Sequence, residues 1–322
     1  AASRSTGNRP GAIRRAAIHS DQPRLVRRRD PDIELRAVCD TSGYVLDVLS
    51  KYTGVKTYDN YEKLLATEEL DCVFVATPST YHNAIVRTAL QRNLHVFCEK
   101  PFALDPAAGL ELAELAESRK LINQVGYHYR FVAAFSEAKR LIDARAIGDL
   151  HHVRAEAYGP VVLRPSGATW RSKKSEGGGC LYDYACHAID LVNFVVGRPT
   201  AVSGTVLNSV FSSDVDDEIY STFQFGERCH GQLATNWSDE SFRKMSVKLS
   251  LWGSNGRINV DRQEITADSV TAIFEHAFNE NLSVRNLTRY QEVSQFLIVD
   301  PPPEEPAGEF PLTLDLRRSP GR

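Results

Sequence analysis

The first part of the chain alternates short apolar runs with helical patterns, and this alternation limits the fold more than any other feature. The strand-like runs lie at 33–40, 71–77, 95–98 and 121–125, and helical patterns lie between them at 44–52, 82–91 and 105–119. Short buried strands that alternate with helices are typical of a parallel sheet covered on both faces. The pattern predicts an α/β, doubly wound, Rossmann-type sheet, whose ligands bind at the carboxyl ends of the strands.

After residue 125, strands with period-two alternation dominate. Apolar and polar residues alternate at 153–157, 219–225 and 244–251. Such alternation is typical of a largely antiparallel sheet with one buried face. We therefore expect a dinucleotide-binding domain over residues 1–125 and an α+β domain with a large, mostly antiparallel open sheet over residues 126–322. The tail from Pro301 is rich in proline and glutamate and is expected to be irregular.

Charge and cysteine content argue against several classes of function. The 322 residues include 38 basic and 41 acidic side chains, a formal net charge of -3, which gives no reason to expect a nucleic-acid partner. No apolar run approaches the ~20 residues of a membrane span, so we expect a cytoplasmic protein without a membrane partner. The six cysteines are scattered, and no cluster has the spacing of metal ligands. Cys39, Cys72 and Cys98 lie in or beside apolar strand-like runs, where we expect buried, reduced thiols.

Residues 177–197 begin with three glycines and continue as a nearly unbroken apolar run, which predicts a buried helix. Within it Asp183, His187 and Asp190 are spaced i, i+4 and i+7, so they share one stripe. Polar groups on a buried helix must be satisfied. Either these three bond to one another and to the backbone, or they face a polar cavity; this segment alone leaves both alternatives open.

A lysine ends the third predicted strand, in the segment Cys98-Glu99-Lys100-Pro101. Pro101 favours an extended conformation for Lys100. The ammonium group is then expected at the carboxyl edge of the sheet, where a cofactor and a substrate would meet. A lone lysine is more often a solvated surface charge, and only the position of this one argues for a role in chemistry.

Two other strand ends at the same edge suit a dinucleotide. Asp40 ends the strand at 33–40, where a dinucleotide-binding fold places an acid on the ribose hydroxyls; a turn or N-cap role explains it equally well. A carboxylate there would repel a 2′-phosphate, which favours NAD over NADP. Thr77 and Pro78 close the strand at 71–77 and are expected to line the nicotinamide channel.

The glycine-rich phosphate loop departs from its usual pattern. A G-x-G-x-x-G segment is expected directly after a first apolar strand. The nearest match is residues 5–11, where only Gly7 holds its place and only Ala-Ala-Ser-Arg precedes it. We therefore expect Gly7 to contact the cofactor within a degenerate loop, and the first strand to be degenerate as well.

Four motifs occur in a fixed order along the chain. They are Glu99-Lys100-Pro101, Gly126-Tyr-His-Tyr-Arg130-Phe131, Trp170-Arg171 and Gly177-Gly-Gly-x-Leu181-x-Asp183-x-x-x-His187-x-x-Asp190. In this combination, over roughly residues 33 to 260, the chain resembles the glucose–fructose oxidoreductase / inositol dehydrogenase / MocA family (Gfo/Idh/MocA).

The resemblance implies a Rossmann domain that binds NAD(P) and a C-terminal domain that holds a sugar or cyclitol. It implies that Lys100, Asp183 and His187 form the catalytic group and contact the substrate. The other positions that it implies are Glu99, Trp170 and Arg171 at the cofactor, and Arg130 at the substrate. Because the open sheet of this family commonly packs against another subunit, we expect a homo-oligomer, either a dimer or a tetramer.

These residues favour an NAD(P)-dependent dehydrogenase that moves a hydride between the cofactor and a secondary alcohol or ketone of a sugar or cyclitol. Lys100 would donate a hydrogen bond to the reacting oxygen, and Asp183 would orient the imidazole or the sugar. His187 suits the role of base because an unperturbed imidazole titrates near neutrality. The sequence leaves open whether Lys100 or His187 takes the proton.

Two alternatives stand beside this hypothesis. The degenerate glycine loop is compatible with a catalytically impaired member of the family that binds a sugar or dinucleotide or acts as a structural subunit. The same fold also supports other hydride chemistry, such as imine or enone reduction. None of the motifs identifies the particular sugar or cyclitol.

Overall fold

The structure, a computed structural model, describes residues 15–20, 34–163, 169–262, 264–279 and 282–296. The first sheet contains β1 (Arg15–Ser20), β2 (Glu34–Cys39), β3 (Lys56–Tyr58), β4 (Cys72–Ala76), β5 (His95–Cys98) and β6 (Asn123–Val125). All its pairings are parallel, and the order across the sheet is β3-β2-β1-β4-β5-β6. This is the strand order of the dinucleotide-binding fold, with its ligand crevice between β1 and β4. The predicted Rossmann-type class is confirmed.

Strand β1 corrects the expectation of a degenerate first strand. Its backbone pairs with β2 on one side and with β4 on the other, so it lies at the centre of the sheet. The predicted glycine loop at residues 5–11 therefore precedes the first strand, whereas the phosphate loop of this fold follows it. Gly7, and the segment 21–33 that follows β1, lie outside the described residues.

Four α-helices are described in the first domain. They are α1 (Gly43–Thr53), α2 (Tyr61–Thr67), α3 (His82–Gln91) and α4 (Pro106–Ser118). The side chains of Ser42, Asn60 and Asp105 accept hydrogen bonds from the first turns of α1, α2 and α4. The apolar faces of α2, α3 and α4 bury a core with β2, β4 and β5.

The second sheet has eight strands. They are β7 (Leu150–Tyr158), β8 (Ala201–Asn208), β9 (Glu218–Phe225), β10 (Cys229–Asn236), β11 (Ser246–Gly253), β12 (Gly256–Val260), β13 (Glu264–Asn279) and β14 (Leu282–Phe296). Their order is β14-β13-β12-β11-β7-β10-β9-β8, and only the β7–β10 pairing is parallel. The prediction of a large, mostly antiparallel sheet is confirmed.

Two helices, α5 (Ala133–Asp143) and α6 (Cys186–Val195), pack against β7, β11 and β12 of this sheet. The buried face of the sheet and these helices share one core, which includes Phe135, Leu191, Leu249 and Trp237. The first sheet ends at Val125, and the domain boundary after it stays a prediction. The tail from Pro301 lies outside the described residues.

All six cysteines carry free thiols, and all but Cys186 are buried. Burial raises the pKa of the Cys39 thiol to about 12 and that of Cys72 to about 11. The buried thiols predicted at Cys39, Cys72 and Cys98 are present in the structure. Within the described parts of the chain, no helix has the length and apolarity needed to cross a bilayer.

Candidate functional site

Lys100 and Asp183 bring the two domains together. The backbone N–H of Glu99 donates to the Val75 carbonyl at 2.8 Å, which extends the parallel ladder one residue past β5, and a cis peptide bond joins Lys100 to Pro101. The Lys100 ammonium donates to Asp183 Oδ1 at 2.7 Å and to the Asp183 carbonyl oxygen at 3.1 Å. The side chains are 15% and 8% exposed. The predicted amine and carboxylate therefore form one buried pair between the domains.

Arg171 is the second cation on the same carboxylate. Its Nε donates to Asp183 Oδ2 at 2.9 Å, while its guanidinium carbon lies 4.7 Å from the centre of the Trp170 ring. Burial alone would raise the pKa of Asp183, but the charges and hydrogen bonds of Lys100 and Arg171 hold it below its usual value. Burial alone would lower the pKa of Lys100, yet Asp183 keeps it raised. The group therefore contains an ammonium, a guanidinium and one carboxylate.

The segment that carries Asp183 is not the single α-helix predicted over residues 177–197. Its three glycines precede the helical region, a π-helical turn covers Leu181–Ala185, and α6 follows. A Cβ at Gly178 would lie 2.3 Å from the carbonyl oxygen of Arg171, so only glycine allows the Trp170–Ser172 turn to approach this closely. A π-helical turn within a helix is common at functional sites.

His187 is buried beside this pair and is neutral. The residue is 3% exposed, and its ring lies edge-on to those of His128 and Tyr129, with centroids 5.3 and 5.2 Å away. Its Nδ1 atom has no hydrogen-bond partner among the described residues. Burial, followed by the charges of Lys100 and His128, lowers the pKa of His187 to about 3. The expectation that this imidazole titrates near neutrality is therefore wrong for the structure as it stands.

Asp190 pairs with Arg130 rather than with the other members of its stripe. Arg130 Nε donates to Asp190 Oδ2 at 2.8 Å, and its guanidinium carbon lies 5.5 Å from the centre of the Phe194 ring. The two carboxylates of the predicted stripe thus bind different cations, and no hydrogen bond between described residues joins them to His187. The alternative in which these polar groups satisfy one another is wrong.

The ends of β2 and β4 carry the residues expected to hold a dinucleotide. Asp40 is 6% exposed, and its Oδ1 accepts the Ser42 N–H at 2.7 Å, so the turn role is present. Thr77 Oγ1 is buried without a partner among the described residues, next to Pro78. Glu99 lies against Gly126, where a Cβ would come within 2.9 Å of its Oε2. An orphaned hydroxyl beside the β1–β4 crevice fits a nicotinamide dinucleotide that would pair with it.

Two residues outside the four motifs support the site. His82 is fully buried, with Nε2 2.9 Å from the Thr77 carbonyl oxygen and Nδ1 2.9 Å from that of Pro101. It thereby links the loops that follow β4 and β5. Asp216 contacts the start of the π-helical turn, and its only signal in the sequence is the acidic run that precedes β9. In the described part of the chain, no group of three His, Cys, Asp or Glu side chains is arranged to hold a metal ion.

Comparisons with known proteins agree with this architecture. The D-glucoside 3-dehydrogenase of Escherichia coli strain K12 is 28% identical over 173 residues, which are 53% of this chain and 49% of that protein. An uncharacterized oxidoreductase of Streptococcus pneumoniae serotype 4 is 28% identical over 231 residues, 68% of this chain and 62% of that protein. This chain therefore spans less than two thirds of the length of these relatives.

Solved structures share the fold. Levoglucosan dehydrogenase, in a complex with NADH and levoglucosan, matches with a TM-score of 0.73 over 88% of this chain and 80% of that one, at 19% identity. Two family models match most of the sequence: an oxidoreductase family with an NAD-binding Rossmann fold over residues 15–127, and the GFO/IDH/MocA C-terminal domain over residues 135–259. The chain belongs to the Gfo/Idh/MocA family of oxidoreductases and contains its NAD-binding Rossmann domain.

Proposed function

We propose that the protein is an NAD-dependent dehydrogenase that transfers a hydride between a nicotinamide cofactor and a secondary alcohol or ketone of a sugar or cyclitol. The observation that carries this proposal is the buried pair of Lys100 and Asp183, which joins the cofactor edge of the first sheet to the second domain beside a neutral imidazole. The similarity to a D-glucoside 3-dehydrogenase supports a sugar as the substrate class.

The residues proposed to hold the cofactor lie at strand ends and in the Trp170–Ser172 turn. Asp40 would bond the ribose hydroxyls, which favours NAD, and the Thr77 hydroxyl would gain the partner that it lacks. The remaining proposed cofactor contacts are Pro78, Glu99, Trp170 and Arg171. When bound, the nicotinamide ring supplies the site that accepts or donates the hydride.

The protonation states support opposite roles for the amine and the imidazole. Lys100 is an ammonium in its pair with Asp183, so it would donate a hydrogen bond to the substrate oxygen. His187 is neutral and buried, so it is the group of the two that can accept the hydroxyl proton. Negative charge that develops on the oxygen would offset the Lys100 charge, one of the causes that depress the His187 pKa, and would make the imidazole more basic as the reaction proceeds.

Asp183 and Arg171 complete this proposed group. Asp183 holds the ammonium in place from the second domain, while Arg171 holds the other oxygen of the carboxylate. Two cations share one carboxylate, so the group has an excess of positive charge that would stabilise an alkoxide. Arg130, half-exposed beside Asp190, is the proposed additional substrate contact.

A homo-oligomer is part of the proposal. Strand β8 is exposed along its whole length, and it carries large apolar side chains that are about half exposed, among them Val202, Val206 and Leu207. An apolar sheet surface of this kind is typical of a subunit interface. Sedimentation velocity would give the mass of the particle, and a monomer across micromolar concentrations would contradict this part.

A screen of sugars and cyclitols with NAD and NADP, followed by the absorbance of the reduced cofactor, tests the activity. We expect turnover of at least one polyol with NAD, and its loss in Lys100→Met. Calorimetry with each dinucleotide is run in parallel. Absence of dinucleotide binding would reject the enzyme and favour an impaired family member; binding with reduction of imines or enones alone would reject the substrate class.

A further inference from the structure

The π-helical turn that carries Asp183 begins without a capping side chain of its own. The first N–H groups of a helix have no partner within it and need acceptors. Cys180, at the N-cap position, makes no side-chain hydrogen bond to the turn. The two preceding residues, Gly178 and Gly179, have no side chain that could accept. A larger residue does not suit either position, because Gly178 contacts the backbone of Arg171 closely and Gly179 has a φ of +107°.

Asp216 supplies the missing acceptors from 35 residues away. Its Oδ2 atom accepts the N–H of Leu181 at 2.7 Å. Its backbone carbonyl accepts the N–H of Cys180 at 2.8 Å. A carboxylate at the start of a helical segment also interacts favourably with the helix dipole. The start of the turn is therefore held by the loop between β8 and β9.

That loop is rigidly built. Asp217 is fully buried, and its Oδ2 accepts three successive backbone N–H groups at 210–212, while its Oδ1 accepts the Trp237 Nε1–H at 2.7 Å. Asp214 Oδ2 accepts the N–H of Lys174 at 3.0 Å, close to Arg171 in the chain. One loop thus fixes the start of the turn that carries Asp183 and the segment after Arg171.

We propose that Asp216 is a positioning residue, which holds the π-helical turn so that the Asp183 carboxylate meets Lys100. It does not touch the reacting atoms; it acts through the backbone of Leu181. The proposal rests on the proposed function only in that Asp183 is taken as the catalytic carboxylate, and the position of that carboxylate can be measured without turnover.

The measurement uses the reactivity of Lys100 in the full chain. An amine reacts with acetic anhydride only when deprotonated, and a carboxylate beside it favours the ammonium form. Competitive labelling over a range of pH, with peptide mass spectrometry and the exposed Lys139 as internal reference, gives the pH midpoint of Lys100 labelling. We expect this midpoint to fall in Asp216→Ala and to return toward the wild-type value in Asp216→Asn, whose amide oxygen can still accept from Leu181.

Asn60→Ala is the matched control, because the Asn60 side chain caps α2 in the same way, after β3 at the edge of the first sheet away from β5. It should lower the unfolding temperature as Asp216→Ala does and leave the Lys100 midpoint unchanged. If Asp216→Ala does not fold, Asp216→Ser, whose side chain is too short to reach Leu181, replaces it. The proposal would be overturned if the pH midpoint of Lys100 labelling were the same in all variants. It would also be overturned if Lys100 were labelled in none of them.

Turnover provides the second readout. With a substrate from the screen, Asp216→Ala should lower kcat/KM on the order of tenfold to a hundredfold, as displacement of a catalytic group by about 1 Å does, and Asp216→Asn should restore most of it. Asn60→Ala should leave it unchanged. A protein with the expected labelling shift but no dehydrogenase activity would refute the proposed function and leave the role of Asp216 standing.

Discussion

The Lys100 ammonium lies 2.7 Å from the Asp183 carboxylate, although the two residues are 83 positions apart and belong to different domains. The pair is largely buried, and Arg171 bonds the second carboxylate oxygen. Removal of one partner of a buried ion pair leaves an uncompensated charge. The three side chains are thus expected to contribute unequally to stability, because the two cations depend on one anion.

We therefore expect different losses of unfolding free energy when Asp183 and when Lys100 is replaced. Asp183→Ala leaves Lys100 buried without a carboxylate and should lower the free energy of unfolding by about 3–5 kcal/mol. Lys100→Ala leaves Asp183 paired with Arg171 and should cost less. Urea unfolding measures both, and Lys139→Ala, from an exposed pair with Asp143, should change stability by less than about 0.5 kcal/mol. Equal costs at Asp183 and Lys100 would contradict the arrangement.

Replacement of His187 should change how stability depends on pH. The folded-state pKa of about 3 lies below the ordinary imidazole pKa of 6.5, so between these values the unfolded chain binds more protons. Stability therefore rises with pH across this interval, by at most about 1.4 kcal/mol per pH unit for one imidazole, and is lost as the pH falls. Urea unfolding from pH 4 to 7 should give a flatter profile for His187→Gln. Parallel profiles would show that His187 protonates readily in the folded state.

Gly178 should not tolerate a methyl group. Gly178→Ala would place a Cβ 2.3 Å from the Arg171 carbonyl oxygen, which forces the Trp170–Ser172 turn away from the helix. We expect a loss of at least about 2 kcal/mol in unfolding free energy and of most activity. Gly43→Ala is the control, since a Cβ there meets nothing within 4 Å at the start of α1, and it should be neutral or slightly stabilising. If Gly178→Ala and Gly43→Ala changed stability and activity to a similar extent, the close contact between Gly178 and the Arg171 backbone would be refuted.

Asp40 should set the preference for NAD. Asp40→Asn keeps an oxygen that can accept the Ser42 N–H but removes the charge that would repel a 2′-phosphate. The ratio of NADP to NAD affinity, measured by calorimetry, should rise about tenfold or more, the change that about 1.4 kcal/mol produces. Asp47→Asn, an exposed substitution within α1, serves as the control and should leave the ratio unchanged. An unchanged ratio in Asp40→Asn would mean that the acid acts only in the turn.

Most of the fold could be predicted from the sequence. Apolar runs and capping residues located β2, β4 and β5 and the helices α1, α3 and α4, because those elements have local signals. Strand β1 was missed because Arg15–Ser20 is short and contains arginine, histidine and serine. Its place in the sheet follows from its two neighbours, which are distant in the chain.

The site was predictable only where strand and helix ends define it. The position of Lys100 at a strand end followed from the sequence pattern, whereas its meeting with Asp183 was expected from the family resemblance. The π-helical turn leaves no trace in the apolar periodicity, and the depressed pKa of His187 depends on burial that spacing does not show. The acceptor role of Asp216 joins residues 35 positions apart, which no local pattern records.

Strand β1 has a consequence for biosynthesis. It lies between β2 and β4, yet the ribosome produces it before either of them. One hydrogen-bonding edge of β1 therefore stays open until Ala76 has left the exit tunnel, and an open strand edge is a surface on which nascent chains aggregate. The growing polypeptide is thus expected to need protection by chaperones until the fourth strand emerges.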